Sequence, residues 1–166
     1  VGILRNTSDP ARRAKFNQFI MQYADARKTA IFALGNYKRT ASDADVEAFV
    51  QAFTSYATAV YESRLDQYKG QTLKVVGSLD NRPGDVTVNM IVVDPNARNQ
   101  LRVAFRLLGG GGSYRFVDIQ VEGIWLSIEQ REQFAGFLSQ NGGSVPKLTA
   151  HLSAQAQQIN SGMAQR

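Results

Sequence analysis

The chain has no cysteine, one histidine, one tryptophan and four prolines among its 166 residues. Without cysteine there is no disulfide, no thiolate nucleophile and no cysteine metal site, and a single histidine is too few for a histidine-cluster metal centre. That residue, His151, also lacks partners for nucleophilic catalysis. No serine stands in the strained strand-to-helix turn that would activate it, so His151 reads as a surface or helix-end residue. The turn containing Asp94 lacks the repeated acidic positions of a calcium loop, and no metal is expected. Long apolar runs are missing too: nothing approaches the roughly 18 residues that a membrane-spanning helix requires. Acidic residues are the minority charge, giving a net +5. The excess is scattered over Arg12, Arg13, Lys15, Arg27, Lys28, Lys38, Arg39 and later positions, without the dense stripe of a nucleic-acid surface. A solvated surface is the first reading of that charge, attraction to anionic head groups or an acidic partner the second, and nucleic acid the last.

What is present is periodicity. In the stretch from Tyr114 to Phe134, Val117, Ile119 and Val121 alternate with Asp118, Gln120 and Glu122, the pattern of a half-buried strand. Gly123 interrupts it, Ile124, Trp125 and Leu126 follow as an apolar block, and Ser127 with Gln130 is spaced as a capping box opening a helix. Phe134, Phe137 and Leu138 lie on one stripe of that helix. Trp125 is expected to anchor the junction of strand and helix. Upstream, Leu73 to Leu79, Val86 to Val93 and Leu101 to Leu108 read as three further strands, with links short enough to require antiparallel pairing. Keeping both apolar sets on one face, with the turn centred on the glycines, sets Phe105 against Val117 and Val103 against Ile119.

Helices precede and follow the strands. Asp9 and Pro10 make a helix start. A short helix from about Ala26 ends at Gly35 and Asn36, and Ser42 with Asp45 opens the longest one. On it Val46, Phe49, Val50, Phe53, Ala57, Val60, Tyr61 and Leu65 recur at three- and four-residue steps. Ser144 caps a last helix carrying Val145, Leu148 and Leu152, and the residues from 160 on read as a frayed tail. Helices, a four-stranded meander, then helices again is the order of an α+β fold with helices on one face of an antiparallel sheet. One domain over 1–166 is expected, with Val1 in place of Met pointing to a removed N-terminal segment.

Two clusters invite a chemical reading and lose it. Gly109 to Gly112 joins two strands, opens no helix and is followed by no Lys-Ser/Thr, so it is a hairpin turn and not a phosphate loop. Asp118 and Glu122 share a face but lie about 13 Å apart by strand rise, too far for a glycosidase pair. Arg102 and Arg106 on the neighbouring strand are their natural ion-pair partners. No catalytic residue or cofactor site emerges.

An aromatic followed by Asp118, then Val121-Glu122-Gly123, an apolar block and Arg131 to Phe134 resembles the signature of the MlaC/toluene-tolerance family of periplasmic lipid-binding proteins, including its hopanoid-associated HpnM branch. The segment from Leu34 to Phe53, the group Tyr68, Gly70 and Gln71, and Asp94-Pro95-Asn96 before a strand are similar as well. The resemblance implies a curved sheet and helices forming a cone of cystatin or NTF2-like type around an apolar cavity. It implies a non-enzymatic carrier of phospholipid or hopanoid, a monomer in the periplasm making transient membrane-surface contact. Its partners would be an outer-membrane lipoprotein complex and the MCE-domain ring of an inner-membrane ABC transporter. The residues expected to line such a cavity are Phe49, Phe53, Tyr56 and Val60 on the long helix and Val88, Met90 and Val92 on the second strand. Val103 and Phe105 on the third strand, Val117, Ile119 and Val121 on the fourth, then Trp125, Phe134 and Leu138 complete the set. An NTF2-like enzyme or small-ligand module and a solid-cored interaction domain remain open, because a packed core and a lined pocket demand the same residue types.

Overall fold

The computed structural model describes residues 14, 18, 19, 21–65, 71–95 and 100–164. The helix start expected at Asp9 and Pro10, and the positions Tyr68, Gly70 and Asn96, lie outside them. The chain groups into two compact units, each described by itself: Val1–Asp25 with Gln67–Ile128, and Ala26–Asp66 with Glu129–Arg166.

The first unit is the meander that the alternation demands. Strands β1 (Thr72–Arg82), β2 (Asp85–Val93), β3 (Leu101–Gly110), β4 (Ser113–Val121) and β5 (Ile124–Trp125) pair antiparallel in the order of the chain. The sheet thus has a short fifth strand beyond the four expected. It arises because Glu122 and Gly123, with φ of 47° and 87°, both adopt the left-handed conformation, which closes a two-residue hairpin. Glu122 is held there by Arg102: its N–H donates to the Arg102 carbonyl at 3.0 Å, and its carboxylate accepts from the Arg102 N–H at 2.7 Å. The bend expected at Gly123 is therefore a full reversal, and Trp125, expected to anchor the strand-to-helix junction, is half-buried on β5 opposite Gln120. At the other end of the sheet, Gly84 has a φ of +78°, and a Cβ there would lie 2.5 Å from the Gly109 oxygen. Only glycine fits this approach.

The β3–β4 register differs from the expected one. Gly111 and Gly112 form the turn, so the hairpin closes with Gly110 opposite Ser113, and a bulge follows in which Val117 is the extra residue of β4. Phe105 consequently faces Ile119, not Val117, and Val103 faces Val121, not Ile119. The displacement amounts to two residues in mid-strand, so the face assignment survives for Val103, Phe105, Ile119 and Val121.

The ion pairs also divide differently. Arg102 meets Glu122, with 3.9 Å between guanidinium and carboxylate. Arg106, although opposite Asp118, reaches diagonally to Asp85 on β2 with bonds of 3.0 and 2.7 Å. Asp85 is 2% exposed, also accepts from Asn81, and lies 3.4 Å from Arg82. The Arg106 hydrogen bonds hold its carboxyl at about 2, below the ordinary 3.8, against the opposing effect of burial. Asp118 is occupied elsewhere: one oxygen accepts from the Ser127 N–H at 3.0 Å and the other from its hydroxyl. Ser127 thus lies inside the first turn of its helix and is no N-cap. The carboxylate from β4 caps that helix in its place, and Gln130 bonds to Gln133 at 3.2 Å instead of closing a capping box.

The second unit consists of α1 (Ala26–Leu34), a 3₁₀ turn (Gly35–Arg39), α2 (Asp43–Leu65), the body of α3 (Leu126–Gln140) and α4 (Val145–Ala164). Ser42 caps α2 as its spacing predicts, accepting from the Asp45 N–H at 3.1 Å and donating to the Asp45 carboxylate at 2.8 Å. Gly142 and Gly143, both at positive φ, end α3, and the Gly143 N–H returns to the Leu138 carbonyl at 2.8 Å. Helix α4 runs on to Ala164, so the tail expected to fray from residue 160 is helical through that point. The core gathers Leu34, Phe49, Phe53, Phe134, Leu138, Leu148 and Leu152 with small residues of α1. Phe134 stands edge-on to both Phe49 and Phe53, at 5.8 and 6.1 Å.

Three outcomes follow. Truncating the cap by Asp118→Ala is expected to cost about 1–2 kcal/mol in urea unfolding, with Asp118→Asn losing less because one acceptor remains; a parental midpoint for the alanine variant would mean the carboxylate does not cap. Leu148→Ala, at a side chain with 0% exposure, should cost about 2–5 kcal/mol in the same assay. Asp85, whose folded-state pKa is depressed to about 2, contributes stability that is complete above roughly pH 4 and lost as the pH falls through that lower value. Asp85→Asn should therefore be less stable than the parent by about 2 kcal/mol at neutral pH, and the gap should close as acid protonates the parental carboxylate. Stability curves that stay parallel across that window would contradict the assignment.

Candidate functional site

The register assembles one aliphatic surface from residues that alternate along each strand. Val86, Val88, Met90 and Val92 of β2 stand opposite Leu107, Phe105, Val103 and Leu101 of β3. On β4, Phe116, Ile119 and Val121 continue the rows from Leu107, Phe105 and Val103. On the other side Val75 and Leu73 extend the rows of Met90 and Val92 onto β1. Phe105 and Phe116 meet edge to face at 6.0 Å, closing the surface toward the glycine turn. No carboxylate or cation of β2, β3 or β4 belongs to these rows; Asp80, opposite Val86, sits on the edge strand.

Of the residues expected to line a cavity, Val88, Met90, Val92, Val103, Phe105, Ile119 and Val121 come together on this face. Every one of them is half-buried. Val117 is displaced into the bulge, and Trp125 pairs with Gln120, whose side chain belongs to the opposite face. The helical members are placed in the other unit: Phe49, Phe53, Phe134 and Leu138 are its packed core, none more than 6% exposed. Tyr56 lies against that core, and Val60 is half-buried further along α2. Leu107 and Phe116 were not in the expected set although they complete the face. Leu107 was visible in the alternation, while Phe116 joins only because the bulge shifts parity on its side of Val117.

The opposite face is mixed. Asn89, Ala104 and Gln120 share one row, Ile91 and Arg102 the next, and Thr87, Arg106 and Asp118 a third. Sequence reasoning missed Asp85, the one buried carboxylate among the described residues, since its partner Arg106 is a strand away and no local spacing marks it. His151 lies stacked on Phe137 with ring centroids 4.7 Å apart. Among the described residues, no group of three or more His, Cys, Asp or Glu is arranged to hold a metal ion, and no helix is long and apolar enough to cross a membrane.

Comparison with known proteins agrees with this architecture. The phospholipid-binding protein from Ralstonia solanacearum, solved in complex with a phospholipid, matches with a TM-score of 0.78 at 23% identity, over 95% of this chain and 92% of that one. At that identity the likeness is one of fold, an antiparallel sheet with helices. The family model described as MlaC protein matches residues 3–154, nearly the whole length and all five strands. With the Asp118-to-Phe134 segment and the meander inside that match, the chain belongs to the MlaC family.

Proposed function

We propose that this protein is a non-enzymatic lipid carrier that holds acyl chains against the aliphatic face of its sheet. One observation carries the reading: the face is continuous over three strands, free of charge there, and only half-buried, with Leu101 at its end exposed, whereas the helical core is packed nearly to zero exposure. Apolar side chains of a solid core bury one another. A face that must receive a ligand keeps surface in reserve. At about 0.8 kcal/mol per methylene, a sixteen-carbon chain brings roughly 12 kcal/mol of apolar transfer energy, so a lipid leaves a membrane only for a comparable surface. A charge among these residues would oppose binding, because desolvating it costs several kcal/mol against less than one gained per methylene.

The phospholipid held by the Ralstonia protein makes phospholipid the first candidate ligand, and family membership supports a periplasmic site of action. In this reading the chain acts as one lipid-binding domain and as a monomer. It takes lipid from an outer-membrane lipoprotein complex or delivers to it, exchanging with the MCE-domain ring of an inner-membrane ABC transporter, with transient contact at the membrane surface. A hopanoid would use the same face through its fused apolar rings and is the second candidate.

Mass spectrometry of the organic extract from protein purified gently out of its native envelope should identify bound lipid. Val103→Trp, in the row between Met90 and Val121, fills the face while keeping it apolar and should lower the lipid-to-protein ratio at least about two-fold, with a folded spectrum retained. A folded Val103→Trp protein carrying as much lipid as the parent would remove the acyl chains from this face.

A further inference from the structure

The polar face of the sheet carries a groove, on the side opposite the aliphatic side chains. The register aligns Gly77, Asn89, Ala104, Gln120 and Trp125 as one row across all five strands. In the neighbouring row Ile91 stands opposite Arg102, whose guanidinium is 3.9 Å from the Glu122 carboxylate. A groove of about 410 Å³ lies over the middle of these two rows, lined by Asn89, Ala104 and Gln120 and by Ile91, Arg102 and Glu122, with Val76 and Gly123 beside them. Met90 and Val103 lie between the rows and also border it, their side chains sent by the alternation to the aliphatic face. Its shape follows from side-chain size. Asn89 and Gln120 flank Ala104 from the strands on either side, which places them roughly 10 Å apart. Between them stands only a methyl group, and a Cβ added at Gly77 would meet nothing within 4 Å.

The chemistry of the lining is specific in what it balances. Among the described residues, neither the Asn89 nor the Gln120 side-chain amide has a hydrogen-bond partner, and each offers both donors and an acceptor. Arg102 and Glu122 contribute one further donor group and one acceptor group, and their charges cancel. An anion in the groove would face Glu122 and a cation would face Arg102. A neutral ligand rich in hydroxyls, each able to donate and accept, satisfies all four groups, and Ile91 and Ala104 provide an apolar floor for the C–H side of a ring. We propose that this groove binds an uncharged polyhydroxyl ligand of the sugar class.

The single tryptophan of the chain, Trp125, ends the row next to Gln120 and reports on the site. Titrating the ¹⁵N-labelled protein with maltose, trehalose and myo-inositol should move the side-chain amides of Asn89 and Gln120 and the indole N–H of Trp125 saturably for at least one of them. Phosphoethanolamine and glycerol 3-phosphate should move them less. Asn89→Ala, at an exposed position, should weaken that binding about ten-fold, as expected for a neutral hydrogen bond lost, and Gln120→Leu should do the same without a change in bound lipid. No saturable shift with any of the three neutral probes, a stronger response to either phosphate compound, or undiminished binding by both variants would each overturn the proposal. Because the groove and the aliphatic surface occupy opposite faces, loss of the acyl-chain reading would appear in the lipid extract and leave this titration unchanged.

Discussion

The pairing of β3 with β4 fixes which residues this sheet presents and to which side. A two-residue turn at Gly111 and Gly112 sets the parity of the hairpin, and one extra residue, Val117, resets it before mid-strand. Without that insertion Ile119 and Val121 would exchange faces with Asp118 and Gln120. The aliphatic surface would then acquire a carboxylate at its centre, and the polar face would lose both the cap for α3 and one of its two amides. A single-residue bulge therefore carries the separation of greasy from polar chemistry on which both proposed sites depend.

Much of this was legible in the sequence, for identifiable reasons. Strand and helix identities follow from period-two and three-to-four-residue spacing, and Ser42 and Ser144 cap their helices as their positions require. The bulge was not legible, because alternation runs unbroken from Val117 to Glu122 and nothing in it says where a partner residue is skipped. Nor was the destination of Asp118. A serine followed three residues later by glutamine has the form of a local cap, and a carboxylate arriving from a strand outcompetes it only once the chain is folded. The Asp85–Arg106 pair escaped for the same reason, being a contact between strands with no spacing to announce it.

The candidate lining set divides by burial in a way that composition could not foresee. Phe49, Phe53, Phe134 and Leu138 spend their surfaces on one another in the helical core, and their aromatic stripe is explained by edge-to-face packing. The sheet residues have similar hydropathy but incomplete burial. Identical residue types thus serve cohesion in one unit and leave surface available in the other, a distinction that lies in packing and not in the amino-acid alphabet.

The cap that α3 receives from β4 also couples the start of the helix to the hairpin before it. Its amide and carboxylate partners are nine residues apart in the chain, and they meet only after Glu122 and Gly123 have reversed its direction. Closing so short a loop is entropically cheap, whereas beginning a helix is costly until an orphan N–H finds an acceptor. The start of α3 is thereby tied to the β4–β5 hairpin: the first turn of the helix and the last strand pairing of the sheet are held by one carboxylate.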